Sequence, residues 1–201
     1  MQVLSLIQKH NIHFDLPIGK ELGAGADGQC FELNNKVIKL SVLFEPSSKN
    51  YKQIKKVLQF VIDNQPNMCA RVYEQGYIGK GYRSFLGAKN NKQKFLLYYY
   101  TMERLSKISD DEKRVFHSVI SHNDSGFKKD YSINKIKSML IEMNRFLDFE
   151  FDKVYSFCNA LKYCPIDQND IHERNIMKDN IGNFKLVDFD RSLIKEKYVT
   201  N

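Results

Sequence analysis

Residues 18–40 read IGKEL, GAGADG, QCFEL, a bare Asn34-Asn35 and KVIKL. Short alternating runs separated by tight turns are the pattern of neighbouring antiparallel strands, and two small polar residues between such runs mark a hairpin. The first layer of the fold is therefore expected to be three antiparallel strands. This constrains the glycines as well. A dinucleotide-binding fingerprint needs a strand, then the glycines, then a helix. Here Gly23, Gly25 and Gly28 lie between two strand patterns.

The pattern continues and then changes. Pro46-Ser47-Ser48 opens a helix with a serine as N-cap, and Tyr51, Ile54, Val57, Leu58 and Val61 fall on one face. Asn64-Gln65-Pro66 ends it. Residues 71–78 and 94–105 read as further strands, with Gly76, Gly79 and Gly81 as the turns around a hairpin. Beyond that the periodicity becomes helical. Ser109-Asp110-Asp111-Glu112 is an acidic helix start that suits the macrodipole. Ile133, Ile136, Leu140, Met143 and Leu147 make one helix face, and Phe151, Val154, Tyr155, Cys158 and Leu161 another. The close reads as a loop over 167–175 with Asp167 as a cap, a strand at 176–177, a turn over 179–183 and a strand over 184–187. The fold class expected is α+β, strand-rich over residues 1–106 and mainly helical over 107–201.

Composition sets outer bounds. The chain has 201 residues and a formal net charge of +7, a surplus that favours anionic partners without choosing among them. The lysines are spread along the chain, which favours solvated faces over a nucleic-acid patch. Cys30, Cys69, Cys158 and Cys164 form no CxxC pair and no zinc spacing, so they read as reduced thiols of a cytoplasmic protein. No stretch approaches the ~20 apolar residues of a membrane span, and no secretory leader is legible at the start.

The chemistry concentrates late, in QNDIHERNIMKDNIGNFKLVDFDRS (168–192). Asp170 and Asn175 are five residues apart, and Asp188 follows on the apolar run LVDFD. Phosphoryl transfer needs an acid to orient and deprotonate the attacking hydroxyl, and oxygen ligands for Mg²⁺ from carboxylates and an amide. Asp170, Asn175 and Asp188 suit those roles in chain order. The glycine hairpin could fold its N–H groups over phosphates, and Lys39, eleven residues after Gly28, could place a cation beside them. A lone lysine in a strand is otherwise a surface residue. Asp170-x-His172 also matches the first element of metallophosphatases, but no histidine follows His172 to complete that ligand set.

These motifs, in this order, resemble the protein kinase-like superfamily over residues 18–190. GAGADG looks like the glycine-rich loop (Gly23, Gly25, Gly28), and VIK at 37–39 like the phosphate-binding lysine motif. YTMERL looks like the hinge. That implies Met102 as gatekeeper and backbone contacts from Glu103 and Leu105 to adenine. DIHERN looks like the catalytic loop, with Asp170 as base and Asn175 as metal ligand, and DFD at 188–190 like the DFG element, with Asp188 on Mg²⁺. The resemblance implies a two-lobed fold, a sheet-based N-lobe with a truncated helical C-lobe, and a phosphotransferase using ATP with Mg²⁺, or Mn²⁺ in its place.

The departures from the pattern are specific. Gln168-Asn169 replaces the usual His-Arg, and Asn169-Asp170 followed by His172 is more similar to aminoglycoside and choline kinases. Asp190 stands in the DFG glycine position. The helix after Ser48 has no glutamate for Lys39; Gln53 and Glu45 are the nearest substitutes. Eleven residues follow Asp190, with no activation segment and no APE motif, as in compact bacterial effector and phage kinase-like proteins. His172 is open between a γ-phosphate contact and a hydrogen bond within its loop. Arg174 is open between a charge-supplying role and a salt bridge to Asp179 or Glu173. The function expected is transfer of the γ-phosphate to a hydroxyl of a protein or small molecule, with a partner protein completing the truncated lobe. The rivals are a pseudokinase that binds nucleotide and partner without efficient transfer, and, less favoured, a basic nucleic-acid-binding protein.

Overall fold

The computed structural model describes residues 3–84, 92–120, 132–167, 171–195 and 198. The chain is α+β and divides into two compact units, Met1–Asn64 with Arg71–Arg104, and Gln65–Ala70 with Leu105–Asn201. Among the described residues no helix is long and apolar enough to cross a membrane.

The first unit opens with α1 (Val3–Lys9) and then builds β1 (Glu21–Ala24), β2 (Gly28–Leu33) and β3 (Lys36–Phe44). Asn34, with φ at +54°, makes the expected hairpin turn. Next come α2 (Ser48–Asn64), β4 (Val72–Ser84) and β5 (Lys92–Glu103). The sheet is antiparallel throughout, in the order β1-β2-β3-β5-β4. Ser47 caps α2, its hydroxyl accepting from the Asn50 N–H at 3.0 Å. Ile54, Val57, Leu58 and Val61 on α2 are buried.

Alternation along β3 gives the sheet two faces. Ile38, Leu40 and Val42 pack with Val3, Leu6 and Ile7 of α1, so Lys39 and Ser41 belong to the opposite face. α1 had no counterpart in the sequence reading. Only three of its residues, Val3, Leu6 and Ile7, are buried, but they close one side of the sheet.

Gly76, Gly79 and Gly81 correct the expected turns: all three lie inside β4. A Cβ at Gly76 would stand 2.3 Å from the Tyr99 ring, at Gly79 2.7 Å from Ile12 Cγ2, and at Gly81 2.6 Å from Phe95 Cζ. These positions are bare because large side chains of β5 and the N-terminal segment occupy the space. Glycine in a strand marks close approach as readily as a turn.

The second unit contains β6 (Ser106–Lys107), α3 (Asp110–Ile120), α4 (Ile133–Met143), α5 (Phe151–Lys162), β7 (Ile166–Asp167), β8 (Ile176–Lys178), β9 (Phe184–Leu186) and β10 (Leu193–Ile194). α3 starts in a capping box. Ser109 Oγ accepts from the Glu112 N–H at 3.1 Å, and Glu112 Oε2 accepts from the Ser109 N–H at 2.8 Å. Phe116, Phe157 and Phe184 form an aromatic triad with centroids 4.9–5.9 Å apart. Phe157 is thus a core residue of α5, while Phe151 and Tyr155 stack on each other at its half-exposed edge. The expected face of α5 was shifted because that stacked pair satisfies its own apolar surface. Leu147 lies past the end of α4.

Two short pairings finish the unit. β6, β8 and β9 form an antiparallel sheet, and residues 67–70 run along β9. Here the Ala70 N–H donates to Leu186 O at 2.8 Å and the Leu186 N–H to Met68 O at 2.7 Å. β10 pairs with β7, placing Leu193 opposite Asp167. Asp167, expected as a loop cap, is therefore a ladder residue.

Candidate functional site

In the first unit, the Gly25 N–H donates to Gly28 O at 2.8 Å and closes the turn between β1 and β2. Side chains at Gly23 or Gly25 would meet nothing within 4 Å. Gly28 differs. A Cβ there would come 2.9 Å from the Leu40 carbonyl oxygen and 3.1 Å from Lys39 Cε. The absence of a side chain is what lets Lys39 lie across the strand at this point. The ladder register runs Gly23, Cys30, Lys39, Tyr100, and the Lys39 ammonium stands 5.6 Å from the Tyr100 ring centroid. So the third glycine and the lysine of the sequence reading are neighbours.

Ser41 adds a residue that the sequence reading missed. It is 1% exposed, its hydroxyl has no hydrogen-bond partner among the described residues, and its Oγ would lie 3.3 Å from a Cβ at Gly28. The available signal was a polar residue two places after Lys39, on the same strand face. Glu45 is not a counter-ion for Lys39. Its carboxylate accepts from the Lys94 N–H at 3.0 Å, six residues further along, or roughly 20 Å at strand rise.

Met102 is 7% exposed, opposite Val37 on β3 and Val72 on β4. The Glu103 N–H donates to Arg71 O at 2.9 Å, and its carboxylate accepts from the Arg71 N–H at 2.7 Å. An adenine contact from Glu103 therefore rests on its carbonyl. Leu105 is half-buried and opens the longer segment of the second unit.

In the second unit, Ile176 pairs with Leu186 across the β8–β9 hairpin. One step beyond that pair, the Val187 N–H donates to Asn175 O at 2.8 Å. The hairpin thus carries Asn175 and Asp188 to the same end. Asn175 is 9% exposed and closes a 3-10 turn over Glu173–Asn175, its N–H donating to His172 O at 3.0 Å. Asp188 is exposed, with φ at +61°, between Val187 and the fully buried Phe189. A left-handed non-glycine residue is costly, although aspartate tolerates it better than most, and such residues gather at functional sites.

Asp170 lies outside the described residues, as do Gln168 and Asn169. His172 caps the 3-10 turn, its Nδ1 accepting from the Arg174 N–H at 3.2 Å. This is the within-loop hydrogen bond, and it puts the proton of the neutral ring on Nε2. Arg174 lies 3.9 Å from Glu173. Asp179 serves elsewhere, accepting from the N–H groups of Ile181 and Asn183 at 3.1 and 2.8 Å. Burial would raise its carboxyl, but those bonds, the Asn183 amide and Lys185 hold it below the usual carboxylate range.

Asn175 and Asp188 carry hard oxygen donors of the kind Mg²⁺ takes, and the hairpin brings their backbone positions to one end. Among the described residues no group of three His, Cys, Asp or Glu comes together to hold a metal. The candidate set is therefore an amide and a carboxylate. No protein-family model matches the chain, and no curated protein matches it significantly.

Proposed function

We propose that the chain is a phosphotransferase that passes the γ-phosphate of ATP to a hydroxyl acceptor, on a reduced protein kinase-like fold. The observation that carries this reading is the β8–β9 hairpin, which brings Asn175 and Asp188 to one end, with Asp188 held left-handed. The packing of Lys39 against Gly28 supports a phosphate-binding role for that strand pair.

Each residue then has one task. The Gly25 N–H is spent on closing the glycine turn, so other N–H groups of that turn and the Lys39 ammonium hold the phosphate oxygens. Asn175 and Asp188 would hold Mg²⁺, which would offset charge on the phosphates. The acceptor oxygen bonds to the γ-phosphorus, the bond from that phosphorus to the β–γ bridging oxygen breaks, and ADP leaves with the electron pair. Asp170 takes the acceptor proton. His172 shapes the turn after Asp170.

A second reading has its own support. α2 contains no glutamate, and the Glu45 carboxylate is engaged by Lys94, so a binding module with little transfer is the alternative. Thermal stability with ATP, with and without Mg²⁺, tests nucleotide binding by mass action on the folded state. Absence of any shift at millimolar MgATP sinks both readings. A shift without transfer to alcohols, sugars, water, a protein lysate or the chain itself selects the binding module.

A further inference from the structure

We infer that the acceptor presents a compact anionic group, a phosphate monoester or a carboxylate, to a pocket formed by α3 and the 3-10 turn that follows Asp170. The inference rests on the phosphotransferase reading for the word acceptor; the anion site itself rests on the pocket. Its volume is about 540 Å³, and its lining is Lys113, Arg114, His117, Ser118, Glu173 and Arg174. Glu173 and Arg174 are three and four residues past Asp170, so a ligand here sits beside the loop assigned to catalysis.

The guanidinium groups carry the argument. Arg114 comes no closer than 3.6 Å to Asp111, and Arg174 no closer than 3.9 Å to Glu173. Both distances exceed a hydrogen bond, and neither side chain makes one among the described residues. Two planar forks of donors thus line one pocket, each facing one carboxylate at ion-pair distance and neither holding a hydrogen bond among the described residues. A guanidinium pair matches the oxygens of a phosphate or carboxylate bidentately, and such charge-assisted bonds are the strong ones. Lys113 is engaged by Asp110 at 2.6 Å. Among the described residues Glu173 is the one carboxylate in the lining, and its Oε2 faces His117 Nδ1 at 3.6 Å. It ties the turn to α3 through His117, and its Oε1 lies 3.9 Å from Arg174.

A second pocket of similar size provides the contrast. It is about 550 Å³ and includes Lys153 and Lys185. There the ammonium of Lys153 donates to Ile181 O at 3.1 Å and pairs with Glu150 at 2.8 Å, while Lys185 donates to Asn67 O at 2.7 Å. Its cations hold the fold together and are not offered to a ligand.

The test uses the full chain at physiological ionic strength. Inorganic phosphate, a phosphoserine peptide and its glutamate counterpart are titrated by calorimetry, with the MgATP thermal shift measured on the same samples. The expected result is saturable binding that falls by about tenfold or more in Arg114→Gln/Arg174→Gln, from loss of paired charge-assisted bonds, with the MgATP shift unchanged. Arg114→Lys/Arg174→Lys should recover only part, because charge remains and the fork does not. Tighter peptide than phosphate binding supports a protein acceptor, and the reverse a small one. No saturable binding of any probe, or binding unchanged in the Gln variant, overturns the inference while the MgATP shift still reports on the phosphotransferase reading. Anion binding lost in the variant, with no MgATP shift in wild type, supports the anion site and removes the kinase assignment.

Discussion

The Val187 N–H donates to the Asn175 carbonyl oxygen at 2.8 Å, fastening the residue before Asp188 to the candidate amide ligand of the metal. Asp188 follows in the left-handed region. Asp188→Ala and Asp188→Gly should both abolish Mg²⁺-dependent stabilisation by ATP. Glycine adopts that backbone without the Cβ penalty, so the Gly variant should be more stable than the Ala variant by about 1 kcal/mol without ligand. Urea unfolding of both variants, with and without MgATP, reads the two effects separately.

Asp170→Asn separates transfer from binding. A carboxylate that orients the nucleophile and takes its proton acts mainly in the transition state. MgATP affinity should stay within a few-fold, and transfer should fall by roughly 10²–10⁴. Single-turnover phosphoryl transfer beside a nucleotide titration shows whether the split occurs.

Glu112 is 3% exposed and lies 2.5 Å from the Lys178 ammonium. Lys178→Met leaves that carboxylate buried without its cation and should cost about 3–5 kcal/mol. Glu112→Gln keeps an amide that can complete the capping box with Ser109. The double variant Glu112→Gln/Lys178→Met should therefore be more stable than Lys178→Met alone. A double variant as unstable as the single one would show that Lys178 acts through packing on Phe184, whose ring centroid is 5.0 Å away.

Gly76→Ala should destabilise the first unit by about 1–3 kcal/mol, the usual cost of overpacking, because Tyr99 already fills the space. Gly76→Ala/Tyr99→Val should recover part of the loss through non-additivity. Denaturation midpoints of the four corners of the cycle give the coupling.

Asp179 sets a pH dependence. Its carboxyl is held lower in the folded protein than in the unfolded chain. Its contribution is therefore fully present above the ordinary carboxylate range and is lost as pH falls through the folded value. Asp179→Asn should lose stability near neutral pH and show a flatter acid limb than wild type. Urea midpoints from pH about 7 to about 3, which brackets the ordinary aspartate value, check the sign.

The strand pattern of residues 18–40 and the α2 face around Ile54, Val57, Leu58 and Val61 were legible because local periodicity and turn chemistry determine them. The glycines of β4 were not. Their meaning depends on Tyr99 and Phe95, which only the register brings opposite. α1 was hidden because four apolar residues in one short helix make no clear pattern until a sheet face stands beneath them. The sequence put Asn175 and Asp188 in order along the chain, but their placement at one hairpin end depends on the pairing of Ile176 with Leu186. The loose pairing of Arg114 with Asp111 and of Arg174 with Glu173 was invisible for the same reason. Sequence supplies the charges, and only distance tells whether an acid has already engaged them.

Residues 67–70 have a consequence for synthesis. They belong to the second unit, yet they are made before β4 and β5 of the first, and Lys185 bonds to Asn67 across 118 positions of chain. At ribosomal rates of about 5–20 residues per second, that partner follows roughly 6–24 s later. Throughout that interval Cys69, 3% exposed in the finished protein, has no β9 to lie against. The nascent chain therefore carries an apolar strand edge whose protection is long delayed. A chaperone that recognises short apolar segments would find its window there, and stalling translation ahead of Leu186 should prolong it.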